Sequence, residues 1–252
     1  MTDADAALEE GVAELFRKAE EVIDKLISRD ELQTGAAAMP SRELFFASGI
    51  AFFFLKKVGV GITGGSGQGF ILSKVIDKHA TDNPAITSAD AQASAKWSAP
   101  LFLKVKAGGI GISVGYTTIS SCVIVDSPEE VKKFAGSRLG VGGCITGALG
   151  ESAGAHLSFG HNENKTFFSY NLVNGVIANM LSVEGLRTFV DTKSMELVYG
   201  AGWTAEDVLS GSVSPPPGSE GLLNTLKEKQ KLYTVELREA ARTRAAGPPA
   251  DA

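Results

Sequence analysis

Apolar side chains at Leu8, Val12, Leu15, Ala19, Val22 and Leu26 follow a 4-3-4-3-4 spacing, and Phe16, Ile23 and Ile27 widen the stripe. That period matches 3.6 residues per turn and predicts an amphipathic helix over residues 8–27. From about Glu43 to Val198 the texture changes to short β-rich runs punctuated by glycine. Strands are expected at 50–58, 68–76, 97–107, 110–125, 139–148, 155–159, 166–170, 186–190 and 195–199. Alternation through Ile110, Ile112, Val114 and Tyr116 breaks at Thr117-Thr118 and resumes with shifted parity at Ile119, which predicts a bulge or sharp bend there.

Helix signals punctuate the remainder. Ser127-Pro128-Glu129-Glu130 has the form of a capping box with proline at the first helical position, and Thr204 with Asp207 starts another helix that ends near Gly211. Pro215-Pro216-Pro217-Gly218 reads as a linker, after which Leu222 to Ala241 reads as a terminal helix with a frayed end. The 29 glycines permit bends and close backbone approach, which favours a strongly curved antiparallel sheet over a flat one. The expected fold is α+β: a curved, glycine-rich antiparallel β-sheet or partly closed barrel, with N- and C-terminal helices and short inserted helices. The expected organisation is a domain over 1–211 including the N-terminal helix, a proline-rich linker over 212–218, and a C-terminal helix and tail over 219–252.

Composition narrows the class. With 252 residues, 44% of them hydrophobic, the chain can bury one sizeable core. Cys122 and Cys144 sit among apolar and glycine residues and read as reduced core residues. Met1-Thr2-Asp3-Ala4-Asp5 lacks the basic and apolar regions of a secretory signal, so the sequon at Asn164 is expected to be unused. The longest apolar run, Leu44 to Leu55, has twelve residues, against the ~20 that a spanning helix needs. A net charge of −5 argues against a general nucleic-acid binder, which neutralises phosphates with surplus Lys and Arg.

Two enzyme-like motifs lack their context. Gly150-Glu151-Ser152-Ala153-Gly154 has the form of a nucleophile elbow, but a triad in that order needs a distant histidine after the serine, and only His156 and His161 follow it. Gly59-Val60-Gly61-Ile62-Thr63-Gly64 fits a dinucleotide fingerprint, yet β-like Phe70-Ile71-Leu72 follows where a helix should open to meet the pyrophosphate. His156 and His161 are five apart in a strand-like stretch, which points them to opposite faces, and neither cysteine has a neighbouring ligand, so no metal site is expected.

Lys57 to Gly64, Gly67-Gln68-Gly69 and Trp97-Ser98-Ala99-Pro100 resemble the lysine-alanine-glycine turn, G-S-G and W-S-A-P signatures of the SYLF domain family. Gly109 to Gly115, Val123 to Phe134, Leu139 to Gly143, Phe168-Ser169-Tyr170, Gly175, Val183-Glu184-Gly185 and Tyr199-Gly200 are similar to its later landmarks, and the likeness runs from about Leu8 to Gly211. The resemblance implies structural roles for Gly59, Gly61, Gly64, Gly67, Gly69, Trp97, Pro100, Gly115, Tyr170, Tyr199 and Gly200. It implies a non-enzymatic module without cofactor, cytoplasmic with peripheral membrane association, that binds phosphoinositide membranes and in some members filamentous actin, in endocytic and trafficking adaptors. Gly65 and Glu151 depart from the family pattern, standing where arginines are common. No SH3 or FYVE module follows, so a stand-alone domain is expected. The alternatives are a structural or oligomeric scaffold and a serine esterase acting through Ser152.

Within that reading, four lysines are the candidate lipid-binding residues. Lys56 and Lys57 end the run Phe52-Phe53-Phe54 and lead into glycines whose backbone N–H groups can receive phosphate oxygens. Lys104 and Lys106 share one face of a strand. Lysines at strand ends also serve simply to keep edges soluble. Residues 1–31 hold ten acids and four bases, a balance of −6, so the first helix is expected to dock on the sheet and to be repelled by an anionic leaflet.

Overall fold

The computed structural model describes residues 3–27, 39–77, 88–135, 139–146, 155–159, 167–174 and 182–246. Helix α1 (Asp3–Leu26) leads to a short α2 (Ser41–Phe46) and then to β1 (Gly49–Val75). Helix α3 (Ser88–Ser94) and the two-residue β2 (Lys96–Trp97) precede β3 (Leu101–Val125). Next come α4 (Pro128–Ala135), β4 (Leu139–Thr146), β5 (Ala155–Phe159), β6 (Phe167–Asn174) and β7 (Ser182–Val190). The chain closes with α5 (Thr192–Tyr199), α6 (Ala205–Ser210) and α7 (Glu220–Ala246).

The seven strands pair antiparallel throughout. A long β1–β3 ribbon, running from Gly49 opposite Val125 to Ile71 opposite Leu101, is the spine. The outer edge of β3 is shared: its C-terminal half pairs with β6, which carries β5, and its N-terminal half pairs with β7, which carries β4. These pairings form an open path, so the α+β expectation holds and the sheet does not close into a barrel.

The glycine cluster bends a strand instead of separating two. The stretches expected as strands 50–58 and 68–76 are one continuous β1, and those expected as 97–107 and 110–125 fall mainly in one β3. Strand β1 doubles back on itself about Gly61. A Cβ placed on Gly67 would stand 2.0 Å from the Phe54 carbonyl oxygen, one on Gly69 would stand 2.0 Å from that of Phe52, and one on Gly49 would stand 3.0 Å from that of Leu72. Only residues without a side chain allow the two halves of the strand to lie so close. The register shift sits at this fold: Val60 faces Val114 while Ile62 faces Ile110. Of the bulge or sharp bend expected at Thr117-Thr118, the bulge does not form: Lys57 faces Thr117 and Lys56 faces Thr118 in regular register.

Helix α1 buries the face its spacing predicts. Val12, Leu15, Phe16, Ala19, Val22, Ile23 and Leu26 are all buried, and each large side chain among them contributes about 1.5–3 kcal/mol on leaving water. Phe16 docks on the sheet with its ring 5.4 Å from Phe70 and 6.0 Å from Phe102, while Phe52 lies 5.5 Å from Phe70 across the fold of β1. Helix α7 runs parallel to α1: Thr225 Oγ1 donates to Glu20 Oε1 at 3.1 Å, and one turn on Lys229 Nζ pairs with Asp24 Oδ1 at 2.8 Å.

Two expected caps form. Glu130 N donates to Ser127 Oγ at 3.2 Å to open α4, and Asp207 N donates to Thr204 Oγ1 at 3.0 Å to open α6, which Gly211 ends at φ 81°. The strand expected at 195–199 is instead helix α5. Ser194 and Met195 are buried and Leu197, Val198 and Tyr199 half-buried, while Thr192, Lys193 and Glu196 are exposed; Ser194 with Val198 and Met195 with Tyr199 keep the i, i+4 spacing of one helix face.

Candidate functional site

The glycines of the dinucleotide-like motif lie inside β1, which continues to Val75, so no helix N-terminus follows them to hold a pyrophosphate. Ser152, Glu151, His79 and His161 lie outside the described residues, and His156 is in β5 opposite Tyr170 of β6. Among the described residues no three His, Cys, Asp or Glu side chains are grouped to hold a metal ion. Cys122 is fully buried, and burial together with the negative charge of Glu43 pushes its thiol far up, which leaves it unreactive.

The four candidate lysines separate into different environments. Lys56 is exposed, but Lys57 is only 4% exposed and its stem lies over Gly65, where a Cβ would meet Lys57 Cγ at 2.7 Å. That packing explains why residue 65 carries no side chain. Lys104 reaches across to the buried carboxylate of Asp191, with Nζ 2.8 Å from Oδ1 in an ion pair without an aligned hydrogen bond. Ser194 Oγ donates to the other oxygen, Oδ2, at 3.0 Å. Lys106 is exposed and faces Ser66 on β1 and Arg187 on β7, itself exposed. Facing residues of paired strands share a face, so Lys106 and Arg187 form a basic row beside β1.

A cleft of about 500 Å³ opens next to this row, between α1 and the ribbon. Arg17, Lys18 and Lys25 of α1 and Lys56 of β1 line it, with Glu21 as its one carboxylate. Arg17 grips Glu14 with Nη2 and Nε at 2.6 and 2.8 Å and bonds Glu21 with Nη1. Lys25 and Lys56 make no ion pair among the described residues. At the fold of the ribbon three large apolar side chains face solvent: Val58 at 62% exposure, its register partner Tyr116 at 54%, and Ile62 at 74%.

The signature residues that can be described hold the joints. Trp97 is buried with the Lys74 ammonium 5.1 Å from its ring. Lys74 Nζ donates to the carbonyls of Leu44 and Phe45 at 2.8 and 2.6 Å, and burial pushes its pKa down to about 7. Ser98 Oγ accepts from Ser73 N at 2.9 Å, locking β2 to the end of β1. Tyr199 Oη donates to Pro100 O at 2.8 Å, and Gly200, at φ 74°, lets the chain leave α5. Gly59 faces Gly115 and Gly64 faces Gly108 across the ribbon, and Tyr170 faces Cys122 on β3.

The family model described as Las17-binding protein actin regulator (Ysc84) matches residues 106–229. The chain is 26% identical over 222 residues to Protein YSC84 of Saccharomyces cerevisiae, covering 86% of this chain and 44% of that protein. It is 25% identical over 221 residues to LAS seventeen-binding protein 3 of the same yeast, with coverage of 86% and 44%. It is 25% identical over 212 residues to SH3 domain-containing YSC84-like protein 1 of Bos taurus, with coverage of 82% and 56%. The chain thus spans about half the length of the curated relatives it matches. No solved structure matches it.

Proposed function

The chain belongs to the SYLF family, and from that premise we propose that it is a non-enzymatic binding module in actin regulation that works on anionic, phosphoinositide-bearing membrane surfaces. The family model's description supplies the actin side of the reading. One observation carries the membrane side: the exposed apolar apex of Val58, Ile62 and Tyr116 stands two residues from the exposed Lys56. A basic charge near an anionic leaflet is worth about 1 kcal/mol, so exposed lysines alone hold a protein weakly. Inserted apolar side chains add about 25 cal/mol for each Å² they bury, and the combination makes a peripheral anchor.

Among the described residues no helix is long and apolar enough to cross a membrane, and the attachment we propose is peripheral. Sedimentation of the full chain with phosphoinositide vesicles and, separately, with filamentous actin tests the proposal. Co-sedimentation with both supports it, and sedimentation with neither leaves a structural or oligomeric scaffold.

A further inference from the structure

We propose that Ser214 is a phosphorylation site for a proline-directed serine/threonine kinase, and that the fold reserves this role for one of two candidate serines. The chain contains two serine-proline pairs, Ser127-Pro128 and Ser214-Pro215, and no threonine-proline pair. A kinase groove whose wall beyond the phosphoacceptor is apolar and offers no acceptor selects proline at the next position, because proline has no N–H to leave unbonded. By sequence both serines qualify, and the structure separates them.

Ser127 is already engaged. Its Oγ accepts from Glu130 N at 3.2 Å to cap α4, its carbonyl accepts from Val131 N at 3.1 Å, and Pro128 is the first residue of that helix. Glu130 and Val131 are both buried, so the first turn of α4 is held in the domain. To lie extended in a kinase groove, Ser127 would have to give up its cap and unwind that turn.

Ser214 is in the opposite condition. Gly211 at φ 81° and Gly218 at φ 85° bound the segment between α6 and α7. Backbone hydrogen bonds tie its two ends, from Ser212 N to Asp207 O at 3.1 Å and from Ser219 N to Pro216 O at 3.3 Å, and among the described residues none engages Ser214. Three consecutive prolines keep the stretch extended. Half-buried Val213 and buried Pro216 pin it by their side chains, while Ser214 and Pro215 are exposed, so presenting this pair to a groove breaks no hydrogen bond of theirs. Ser210 and Ser212 are exposed as well, but they share a hydrogen bond at 2.8 Å and precede Gly211 and Val213, which carry an N–H.

In the transfer Ser214 Oγ attacks the γ-phosphorus of ATP, the bond from that phosphorus to the β–γ bridging oxygen breaks, ADP leaves, and the hydroxyl proton passes to the kinase's catalytic carboxylate. The product adds a charge of about −1.5 to −2. No lysine or arginine lies between Lys193 and Lys227, and Glu206, Asp207 and Glu220 near the segment are exposed acids. The neighbouring chain thus offers the phosphate no base to fold onto, and it stands outward as a surface mark.

Incubation of the full chain with ATP and a purified cyclin-dependent kinase or, separately, a mitogen-activated protein kinase tests the site, read by intact and fragment mass spectrometry. One phosphoryl group is expected, on Ser214, lost in Ser214→Ala and in Pro215→Ala and kept in Ser212→Ala. All three positions are exposed, and unchanged melting curves confirm that the variants fold. The phosphorylated chain is expected to melt with the unmodified one; a shifted melting temperature would overturn the reading of the phosphate as a surface mark. Phosphate on Ser127, Ser210 or Ser212 in place of Ser214, label that survives Pro215→Ala, or no label from either kinase overturns the site.

Discussion

Gly67 lies directly against the backbone of Phe54: a Cβ added to it would stand 2.0 Å from the Phe54 carbonyl oxygen and 2.8 Å from the Leu55 Cα. Backbone atoms cannot rotate aside as a side chain can, so the two halves of β1 must separate to admit even one methyl group. Gly67→Ala is expected to destabilise the fold by about 1–3 kcal/mol or more, the usual cost of overpacking. Gly64, three residues earlier, has nothing within 4 Å of its would-be Cβ. Gly64→Ala is expected to be neutral within about 0.5 kcal/mol, the range of surface substitutions. Urea unfolding of the pair decides it, and equal stabilities would refute the folded-back strand.

Lys74 couples stability to pH. Its pKa is pushed down to about 7 by burial, against about 10.4 for a lysine in an unfolded chain. Between those values the unfolded chain holds a proton that the folded chain has released, so stability rises with pH across that window and this lysine adds no slope below it. The slope is at most about 1.4 kcal/mol per pH unit for one proton. The Leu44 and Phe45 carbonyls and the Trp97 ring favour the ammonium form and make it shallower. Urea midpoints from pH 7 to 10 should rise for the wild type relative to Lys74→Met; parallel profiles would show that Lys74 stays charged.

Lys104 is expected to act on stability more than on binding. Its ammonium neutralises Asp191, a carboxylate only 3% exposed. Breaking a fully buried pair costs about 3–5 kcal/mol, and because Lys104 itself is 49% exposed the expected cost of Lys104→Gln is nearer 1–2 kcal/mol after solvent screening. Lys106→Gln, on the same strand face but exposed, should leave the melting temperature unchanged. A Lys104→Gln variant as stable as Lys106→Gln would return Lys104 to the binding surface.

Legibility in the sequence followed the range of the interactions. The apolar stripe of α1 and the caps at Ser127 and Thr204 involve neighbours within one or two turns, and each formed as read. The glycines signalled close approach correctly, but the partner of Gly67 is thirteen residues back in its own strand, which no local pattern reveals. Helix α5 was misread because Met195 to Tyr199 has β-rich composition, although its buried positions keep helical spacing. At the candidate site Lys56 and Lys106 were legible as exposed lysines, whereas the burial of Lys57 was not, because Gly65, which it covers, comes near only through the fold of β1. Arg17, Lys18, Lys25 and Arg187 were missed. Summing charge over the first 31 residues hid the bases on one flank of α1, and the seven-residue spacing of Lys18 and Lys25 was the available signal.

The two adjacent lysines Lys56 and Lys57 should separate binding from folding. They alternate across β1, one exposed and one buried over Gly65. Lys57→Glu keeps an ionisable group in that packed position but reverses its charge, and is expected to lower the melting temperature. Lys56→Glu should leave stability unchanged and reduce vesicle sedimentation most at low salt, because exposed charges are screened over about 10 Å at 0.1 M ionic strength. Exchanging Ile62 and Val58 for serine removes the apolar part of the anchor and should reduce sedimentation at low and high salt alike, since apolar insertion does not depend on screening. If the serine variant loses binding only at low salt, or Lys56→Glu loses it at every salt concentration, the division of labour between apex and lysine is wrong, and the membrane contact lies elsewhere on the domain.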